Sequence, residues 1–170
     1  AFTWGDIDGV FAAADHVFQA KFRWNRVGAN PTETFGCVCQ WDLVEDRLTC
    51  HGAYQTPGFM GLGRGHTLRL PANRINIVSH PQGGGFGGKS DPFPHEMIAA
   101  RLAQLTGRNT RLRFTREEVF FSHHGRHPTE IKMRMGFHPE KGITALDADI
   151  LIDGGAYGSF GIVTTYYNGV

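Results

Sequence analysis

The sequence predicts an α+β fold with mixed sheets and few helices, as a single unit over residues 1–170. A 170-residue chain with 41% hydrophobic and 12% aromatic side chains can build a domain with a core. Stretches in which apolar and polar residues alternate outnumber stretches with helical spacing, so strands should predominate. No repeat, linker or low-complexity segment divides the chain, and the unit is therefore expected to be continuous.

The first half of the chain is expected to contain one short helix and four strands. Apolar spacing from residue 6 to 16 predicts an amphipathic helix with Asp6 as its N-cap. Alternating apolar residues predict strands at 18–24, 35–41, 47–52 and 74–79, the second and third joined as a hairpin.

The second half is expected to contain the longest helix and a second hairpin. Pro94 suits a first helical turn and Gly107 suits a helix end, so a helix is predicted at 94–107. Its apolar face is expected to carry Ile98, Leu102 and Leu105. A short strand is predicted at 110–114, and strands at 130–137 and 143–153 around the turn 138–142.

Glycine is concentrated at three places among its 23 occurrences: 58–65, 83–88 and 153–161. Each cluster alone is typical of ordinary turns. Because glycine is entropically costly, three clusters in one chain instead favour backbone that turns tightly or approaches a ligand. The sequence therefore predicts a ligand-facing surface.

Charge and cysteine content exclude several classes of partner. A net charge of +1 from scattered basic residues predicts no nucleic-acid binding. No apolar run is long enough to span a bilayer and no secretory signal is visible, which favours a cytoplasmic setting. Three cysteines without C-x-x-C spacing are expected to pack in reduced form.

The abrupt C-terminal end suggests a fragment or a split subunit. No metal-binding role is assigned to His123, His124 and His127, because no acidic ligand stands at a recognisable offset from them in the sequence.

The stretch GGGFGGKS, at residues 83–90, satisfies two phosphate-binding patterns. In a triphosphate loop, Lys89 and Ser90 would begin a helix whose N-terminus faces the phosphates. Pro92 and Pro94 oppose such a helix, because each disfavours helical backbone in the residue before it. A dinucleotide site lacks the acidic ribose partner expected about 20 residues on. A nucleotide triphosphatase stays open as an alternative from another class.

The segment GGGFGGK resembles the molybdenum-site loop of the molybdenum hydroxylase family, which includes xanthine dehydrogenases and aldehyde oxidases. Four further segments resemble family elements and follow the family order: 6–42, YQTPG at 54–58, TREEVFFSHHGRHP at 115–128 and DGGAYGSFG at 153–161. Within the family, GGKSDPFPHE and the last two segments are most similar to the catalytic subunit of 4-hydroxybenzoyl-CoA reductase.

This resemblance implies that residues 1–170 are the N-terminal portion of a molybdopterin-binding region. The implied cofactor is molybdenum-molybdopterin, in the cytosine dinucleotide form, with the metal held by the pterin. The implied partners are the remainder of the molybdopterin subunit, an iron–sulfur small subunit with [2Fe-2S] clusters and a medium subunit with FAD. The implied reaction is dehydroxylation or hydroxylation of an aromatic acyl-CoA. The family's catalytic Glu would lie outside this chain.

The resemblance also assigns site residues. Gln55 would bind an oxygen on the metal, Phe86 would point its backbone N–H at the apical ligand, and Arg126 would face substrate. Ser90 stands where purine-oxidising members carry Glu, which disfavours purine oxidation. The expected catalytic residues are Gln55 and Arg126, and the expected cofactor-binding residues are Gln55, Gly84, Gly85, Phe86 and Gly87. An aldehyde or N-heterocycle dehydrogenase and a scaffold without cofactor stay open.

Overall fold

The protein is described by a computed structural model that covers residues 2–122, 125–156, 158 and 161–168. Its elements, in chain order, are α1 (Ile7–Ala12), β1 (His16–Trp24), β2 (Gly36–Asp42), β3 (Arg47–Gly52), α2 (Pro57–Leu68), β4 (Ile75–Ser79), α3 (Pro94–Thr106), β5 (Thr110–Arg113), α4 (Arg116–Ser122), β6 (Thr129–His138), β7 (Gly142–Ile152) and α5 (Gly161–Asn168). Strands in two separate sheets and short helices confirm the α+β prediction.

The elements form two compact units, the first from residues 1–27 and 126–170 and the second from residues 28–125. A single unit over residues 1–170 stays a prediction. No helix in the described part of the chain has the length and apolar character needed to cross a membrane.

The second unit contains a four-stranded mixed sheet in the order β4-β3-β2-β5. Strand β2 pairs antiparallel with β3 and with β5, whereas β3 pairs parallel with β4. Helix α3 packs on this sheet through small side chains that permit a close approach. The buried core contains Cys37, Cys39, Leu48, Cys50, Ala99, Ala100 and Ala103.

The first unit contains a three-stranded antiparallel sheet in the order β1-β6-β7. Helix α1 packs on β7 and β6, and the Arg134 guanidinium lies 4.0 Å from the Phe11 ring centroid. Asp6 caps this helix as predicted, since its side chain accepts a hydrogen bond from the Gly9 backbone N–H at 3.0 Å. Both predicted hairpins, β2-β3 and β6-β7, are confirmed by their antiparallel pairing.

Two predictions about residues that lie in helices need correction. Residues 58–65 lie inside helix α2 and form no turn or loop. A Cβ at Gly63 would lie 2.3 Å from Pro92 Cγ, so glycine there permits close packing that outweighs its poor helix propensity. In α3, Ile98, Leu102 and Leu105 are 52%, 43% and 66% exposed, because the alanine face covers the sheet. Helices α4 and α5 were not predicted.

Candidate functional site

The glycine loop, residues 83–90, connects the end of β4 with the start of α3 in the second unit. Its backbone is strongly bent, since Gly84, Phe86 and Gly87 have φ values of +94°, +53° and +86°. A hydrogen bond of 2.8 Å from the Gly88 N–H to the Gly85 carbonyl closes the central turn. Left-handed backbone is unfavourable for a residue with a side chain, so the surrounding contacts must hold Phe86 in place.

Gln55 holds the loop from the segment just before α2. Its side-chain oxygen Oε1 accepts hydrogen bonds from the Gly87 N–H at 3.0 Å and the Lys89 N–H at 3.2 Å. Its backbone N–H donates to the Lys89 carbonyl at 2.9 Å. A Cβ on Gly85 would lie 2.3 Å from Oε1, so only glycine leaves room for this side chain. The structure therefore brings together Gln55 and the predicted glycine loop.

Two donors on the exposed side of the loop stay available to a ligand. Gln55 is exposed, and no described residue accepts a hydrogen bond from its Nε2. The Phe86 N–H likewise has no acceptor within the described ranges, and the Phe86 side chain is 65% exposed. A Cβ at Gly87 would meet no atom within 4 Å, so a group can approach the backbone here. The loop and Gln55 therefore present two hydrogen-bond donors that have no described acceptor.

The two ends of the loop meet at the carboxylate of Glu33. Its Oε2 accepts from the Gly83 N–H at 2.9 Å and from Lys89 Nζ at 2.5 Å. The Glu33 N–H in turn donates to the Gly83 carbonyl at 3.1 Å. Partial burial raises the pKa of Glu33, but the Lys89 and Gly83 hydrogen bonds outweigh it, and the pKa lies below its usual value. Sequence reasoning missed Glu33, because nothing in its local pattern shows a partner 56 residues away.

These contacts contradict the triphosphate-loop hypothesis. The Lys89 side chain is only 3% exposed, is paired with Glu33, and lies 5.8 Å from the Phe35 ring centroid. Ser90 is buried, and its carbonyl accepts a hydrogen bond from Thr56 Oγ1. The following helix begins at Pro94, so Lys89 and Ser90 do not lie at a helix N-terminus. Neither side chain is placed to bind phosphate and magnesium.

Three buried side chains, those of Tyr54, Arg64 and Glu96, hold the segment that carries Gln55. Arg64, on α2, is fully buried and donates through Nη2 to the Tyr54 hydroxyl at 3.0 Å. The same nitrogen lies 3.3 Å from Glu96 Oε1 on α3, and Glu96 Oε2 accepts from the Phe93 N–H at 2.9 Å. Burial raises the pKa of Glu96, and the Arg64 charge offsets this only in part. Because Tyr54 precedes Gln55 in the chain, this group anchors the segment that carries Gln55.

The three cysteines are free and buried in the second unit. Cys39 and Cys50 face each other across β2 and β3 with their sulfur atoms 3.4 Å apart. Hydrogen bonding to Cys37 and Cys50, together with burial, raises the pKa of the Cys39 thiol. They pack in the core as reduced thiols, as the sequence predicted.

Arg126 and His127 belong to the first unit, whereas the glycine loop belongs to the second. Arg126 lies in the first unit, where its backbone pairs with Val27 through hydrogen bonds of 2.7 and 3.3 Å and its side chain is exposed. His127 is buried, and its carbonyl accepts from Trp24 Nε1 at 3.2 Å. His123 and His124 lie outside the described residues. The role of Arg126 toward substrate stays a prediction.

Comparison with known proteins gives consistent matches along the chain. The family model "Molybdopterin cofactor-binding domain" matches residues 1–170. The nicotine 6-hydroxylase large subunit of Paenarthrobacter nicotinovorans is 30% identical over 155 residues, covering 91% of this chain and 19% of that protein. A probable hypoxanthine oxidase of Escherichia coli K12 is also 30% identical over 155 residues, covering 91% of this chain and 16% of that protein.

Solved structures show the same fold. Quinoline 2-oxidoreductase from Pseudomonas putida 86 aligns with a TM-score of 0.77 and 29% identity, covering 89% of this chain and 19% of that chain. Aldehyde oxidoreductase from Desulfovibrio gigas aligns with a TM-score of 0.85 and 24% identity, covering 96% of this chain and 18% of that chain. This chain spans less than a quarter of the length of these relatives. By the match over residues 1–170, together with the relatives, the chain belongs to the molybdopterin cofactor-binding domain family.

Proposed function

We propose that this chain forms part of the catalytic subunit of a molybdopterin-dependent oxidoreductase of the molybdenum hydroxylase family. One observation carries the proposal: Gln55 Oε1 accepts two loop N–H groups, at 3.0 and 3.2 Å, and leaves its amide N–H₂ and the Phe86 N–H without a described acceptor. The first donor lies on the segment before α2 and the second on the glycine loop, whose glycines permit close approach.

The residues present fit a cofactor whose metal is held by the pterin. Such a group needs backbone and amide donors at short range. The Phe86 N–H and the Gln55 amide would supply them, and Gly84, Gly85 and Gly87 would leave room for the close approach. When bound, the cofactor would supply two-electron redox chemistry at the metal. The chain's own part is to orient the group, because the contacts to Gln55 and Glu33 fix the loop before the cofactor binds.

For the substrate, we propose an aromatic acyl-CoA, as the narrower resemblance to 4-hydroxybenzoyl-CoA reductase implies. Arg126 would act on it, since an exposed guanidinium can stabilise negative charge that develops on an electron-rich ring or an oxygen. Ser90 is buried, which is consistent with a site that does not contact purine as the family's Glu would.

A second candidate substrate class is an N-heterocycle. The relatives named for nicotine 6-hydroxylation and for hypoxanthine oxidation are each 30% identical to this chain, and both names describe reactions of nitrogen heterocycles. This class needs no change in the proposed roles of Gln55 and the glycine loop.

The proposal includes a cytosine dinucleotide form of molybdopterin, [2Fe-2S] clusters and FAD on partner subunits, and a cytoplasmic setting. The relative from Paenarthrobacter nicotinovorans is the large subunit of its enzyme, which supports a complex of several subunits here. The cysteines described here are buried within one core, so electron carriers would have to lie in other domains or chains.

The first test is elemental analysis of the intact complex purified from its native source. We expect molybdenum with several iron atoms per complex, and cytosine monophosphate after acid hydrolysis. Turnover with 4-hydroxybenzoyl-CoA and with nicotine or hypoxanthine then separates the two substrate classes. A complex that contains no molybdenum would refute the proposal.

The second test uses Gln55→Ala with Gln19→Ala as its matched control. Gln55→Ala removes the acceptor for two loop N–H groups, and we expect at least about a tenfold lower turnover per bound molybdenum. Gln19 is exposed on β1 in the first unit, and its substitution should leave turnover unchanged. Equal turnover in both variants would contradict the role of Gln55. It would favour a scaffold without catalytic function.

A further inference from the structure

We propose that Glu33 is a positioning residue that closes the glycine loop and thereby sets the direction of the Phe86 N–H toward the cofactor. This inference rests on the proposed function and adds to it a residue that the resemblance does not assign. Glu33 would not touch the cofactor itself, because its carboxylate is engaged by Gly83 and Lys89.

The geometry of the loop carries the inference. Glu33 Oε2 accepts from Gly83 at 2.9 Å and from Lys89 at 2.5 Å, and Phe86 lies midway between these two residues in the sequence. A single oxygen atom therefore holds both ends of the bend. Gln55 holds only its second half, through Gly87 and Lys89. Without Glu33, no described side chain binds the N–H at the first end.

The backbone that presents Glu33 is itself anchored. Arg116, on α4, donates through Nη2 to the Pro31 carbonyl and to the Thr32 carbonyl, the latter at 2.8 Å. On the other side of Glu33, the Phe35 carbonyl accepts from the Phe114 N–H at 2.8 Å. Glu33 therefore projects from a segment fixed on both sides, and a fixed segment can impose a position on a loop.

The loop needs such a constraint. Phe86 has a φ of +53°, a conformation that is unfavourable for a residue with a Cβ and persists only when its surroundings enforce it. Lys89 is 3% exposed, and a buried ammonium group needs a counter-charge. Glu33 meets both requirements, because the contact that neutralises Lys89 also fixes the end of the bend.

The test is made in the complete enzyme with Glu33→Gln and Glu33→Ala, and with Glu45→Gln as the matched control. Glu45 lies in an exposed turn of the same unit, where its only described ion pair is with Arg47. Four quantities are measured: molybdenum per complex, the electron paramagnetic resonance spectrum of molybdenum after partial reduction, kcat per bound molybdenum with KM, and the unfolding temperature.

For Glu33→Ala we expect an altered molybdenum spectrum and about a tenfold lower kcat per bound molybdenum, with KM changed less than about threefold. Glu33→Gln keeps an acceptor without the charge and should fall between Glu33→Ala and the wild type. Loss of molybdenum at an unchanged unfolding temperature would support the inference equally, because a purely structural residue would lower that temperature first.

Three results would overturn the inference. A spectrum and kcat per bound molybdenum that match the wild type in both Glu33 variants would reduce Glu33 to a structural role, while leaving the proposed function intact. If the Glu33 variants do not assemble, Lys89→Met decides, since it releases one end of the bend, and wild-type values there have the same meaning. A wild-type complex that contains no molybdenum would refute both the proposed function and this inference.

Discussion

Gln55 holds the glycine loop and leaves its own amide N–H₂ without an acceptor among the described residues. Its oxygen accepts two N–H groups of the glycine loop, and this fixes which side of the amide faces outward. Glycine at position 85 is required because a Cβ there would lie 2.3 Å from that oxygen.

Gly85→Ala should therefore damage the site more than it damages the fold. The added Cβ meets only the end of the flexible Gln55 side chain, so we expect the unfolding temperature to change by less than about 3 °C. Molybdenum content or turnover should fall at least about tenfold, since Gln55 must leave the loop. Gly58→Ala, on α2 with open space around its Cβ, is the control and should raise the unfolding temperature slightly. Unchanged turnover in Gly85→Ala would contradict this account of the site.

The lowered pKa of Glu33 makes its contribution to the stability of the folded protein depend on pH. Lys89 is the principal group that favours the ionised form, with a smaller effect from Arg113. Since the folded-state pKa lies below the ordinary value of 4.5, the stabilisation is complete above that value and is lost as the pH falls through the folded-state pKa. The difference in unfolding temperature between wild type and Glu33→Gln should be constant from about pH 6 to 8 and should shrink under acid conditions. A difference that grows on acidification would contradict the pairing with Lys89.

Among the elements, α2 and α3 are joined by a buried ion pair beneath the site. Arg64 on α2 and Glu96 on α3 lie 3.3 Å apart, with side-chain exposures of 0% and 6%. Helix α3 was predicted from its clear end signals, whereas α2, which contains four glycines, was not predicted. Packing of Gly63 against Pro92 compensates for the poor helix propensity of α2, and this contact is visible only in the folded chain.

Arg64→Met should destabilise the protein by about 3–5 kcal/mol, because it leaves Glu96 as an uncompensated buried carboxylate. The pKa of Glu96 is already raised by burial and should rise further, so the protonated form becomes the favoured one. Because the folded-state pKa of Glu96 is higher in the variant, its destabilisation relative to the wild type grows as the pH rises above the wild type's already raised folded-state pKa. Thermal unfolding at about pH 5 and pH 8 measures this trend.

Two further variants serve as controls for the ion pair. Arg64→Met combined with Glu96→Gln should remove the dependence on pH. Arg74→Met breaks an exposed ion pair with Asp46, whose side chain is 52% exposed, and should cost less than about 1 kcal/mol. If the double variant keeps the pH dependence of the single variant, another group is responsible for it.

At the scale of the whole molecule, the sheet of the first unit has two unlike faces. One face carries ion pairs across the strands, such as Arg23 with Glu130 at 2.6 Å. The opposite face is apolar on all three strands. On that face Phe18, Phe22, Trp24 and Leu146 are 55%, 48%, 48% and 56% exposed. Apolar areas of this kind mark surfaces that bind other protein segments.

We expect this apolar face to be covered by other segments of the complex that we propose, since the matched relatives are more than four times longer than this chain. A cysteine at position 22 in place of Phe should then resist maleimide in the intact complex. Lys21→Cys, on the charged face with a side chain now 47% exposed, should react rapidly. Rapid reaction at both positions would show that no other segment covers the apolar face in the intact complex.

The sequence by itself determined the hairpins, helix α3 and the identity of the glycine loop. These features depend on neighbouring residues, because alternation, helix end signals and turn residues act over a few positions. The resemblance added Gln55, 30 residues before Gly85, and the structure brings the two together. Three helices, α2, α4 and α5, were not predicted. Helices α4 and α5 are short, and contacts outside their own residues decide such segments.

Only the tertiary structure decided what Lys89 does. In the sequence it completes a triphosphate pattern, whereas in the fold it is buried against Glu33, 56 residues earlier. The same is true of Arg64 and Glu96, which read as ordinary charged residues on two helices and form a buried pair. The physical reason is that a charge can be buried only beside its counter-charge, and which charges meet depends on how distant segments pack.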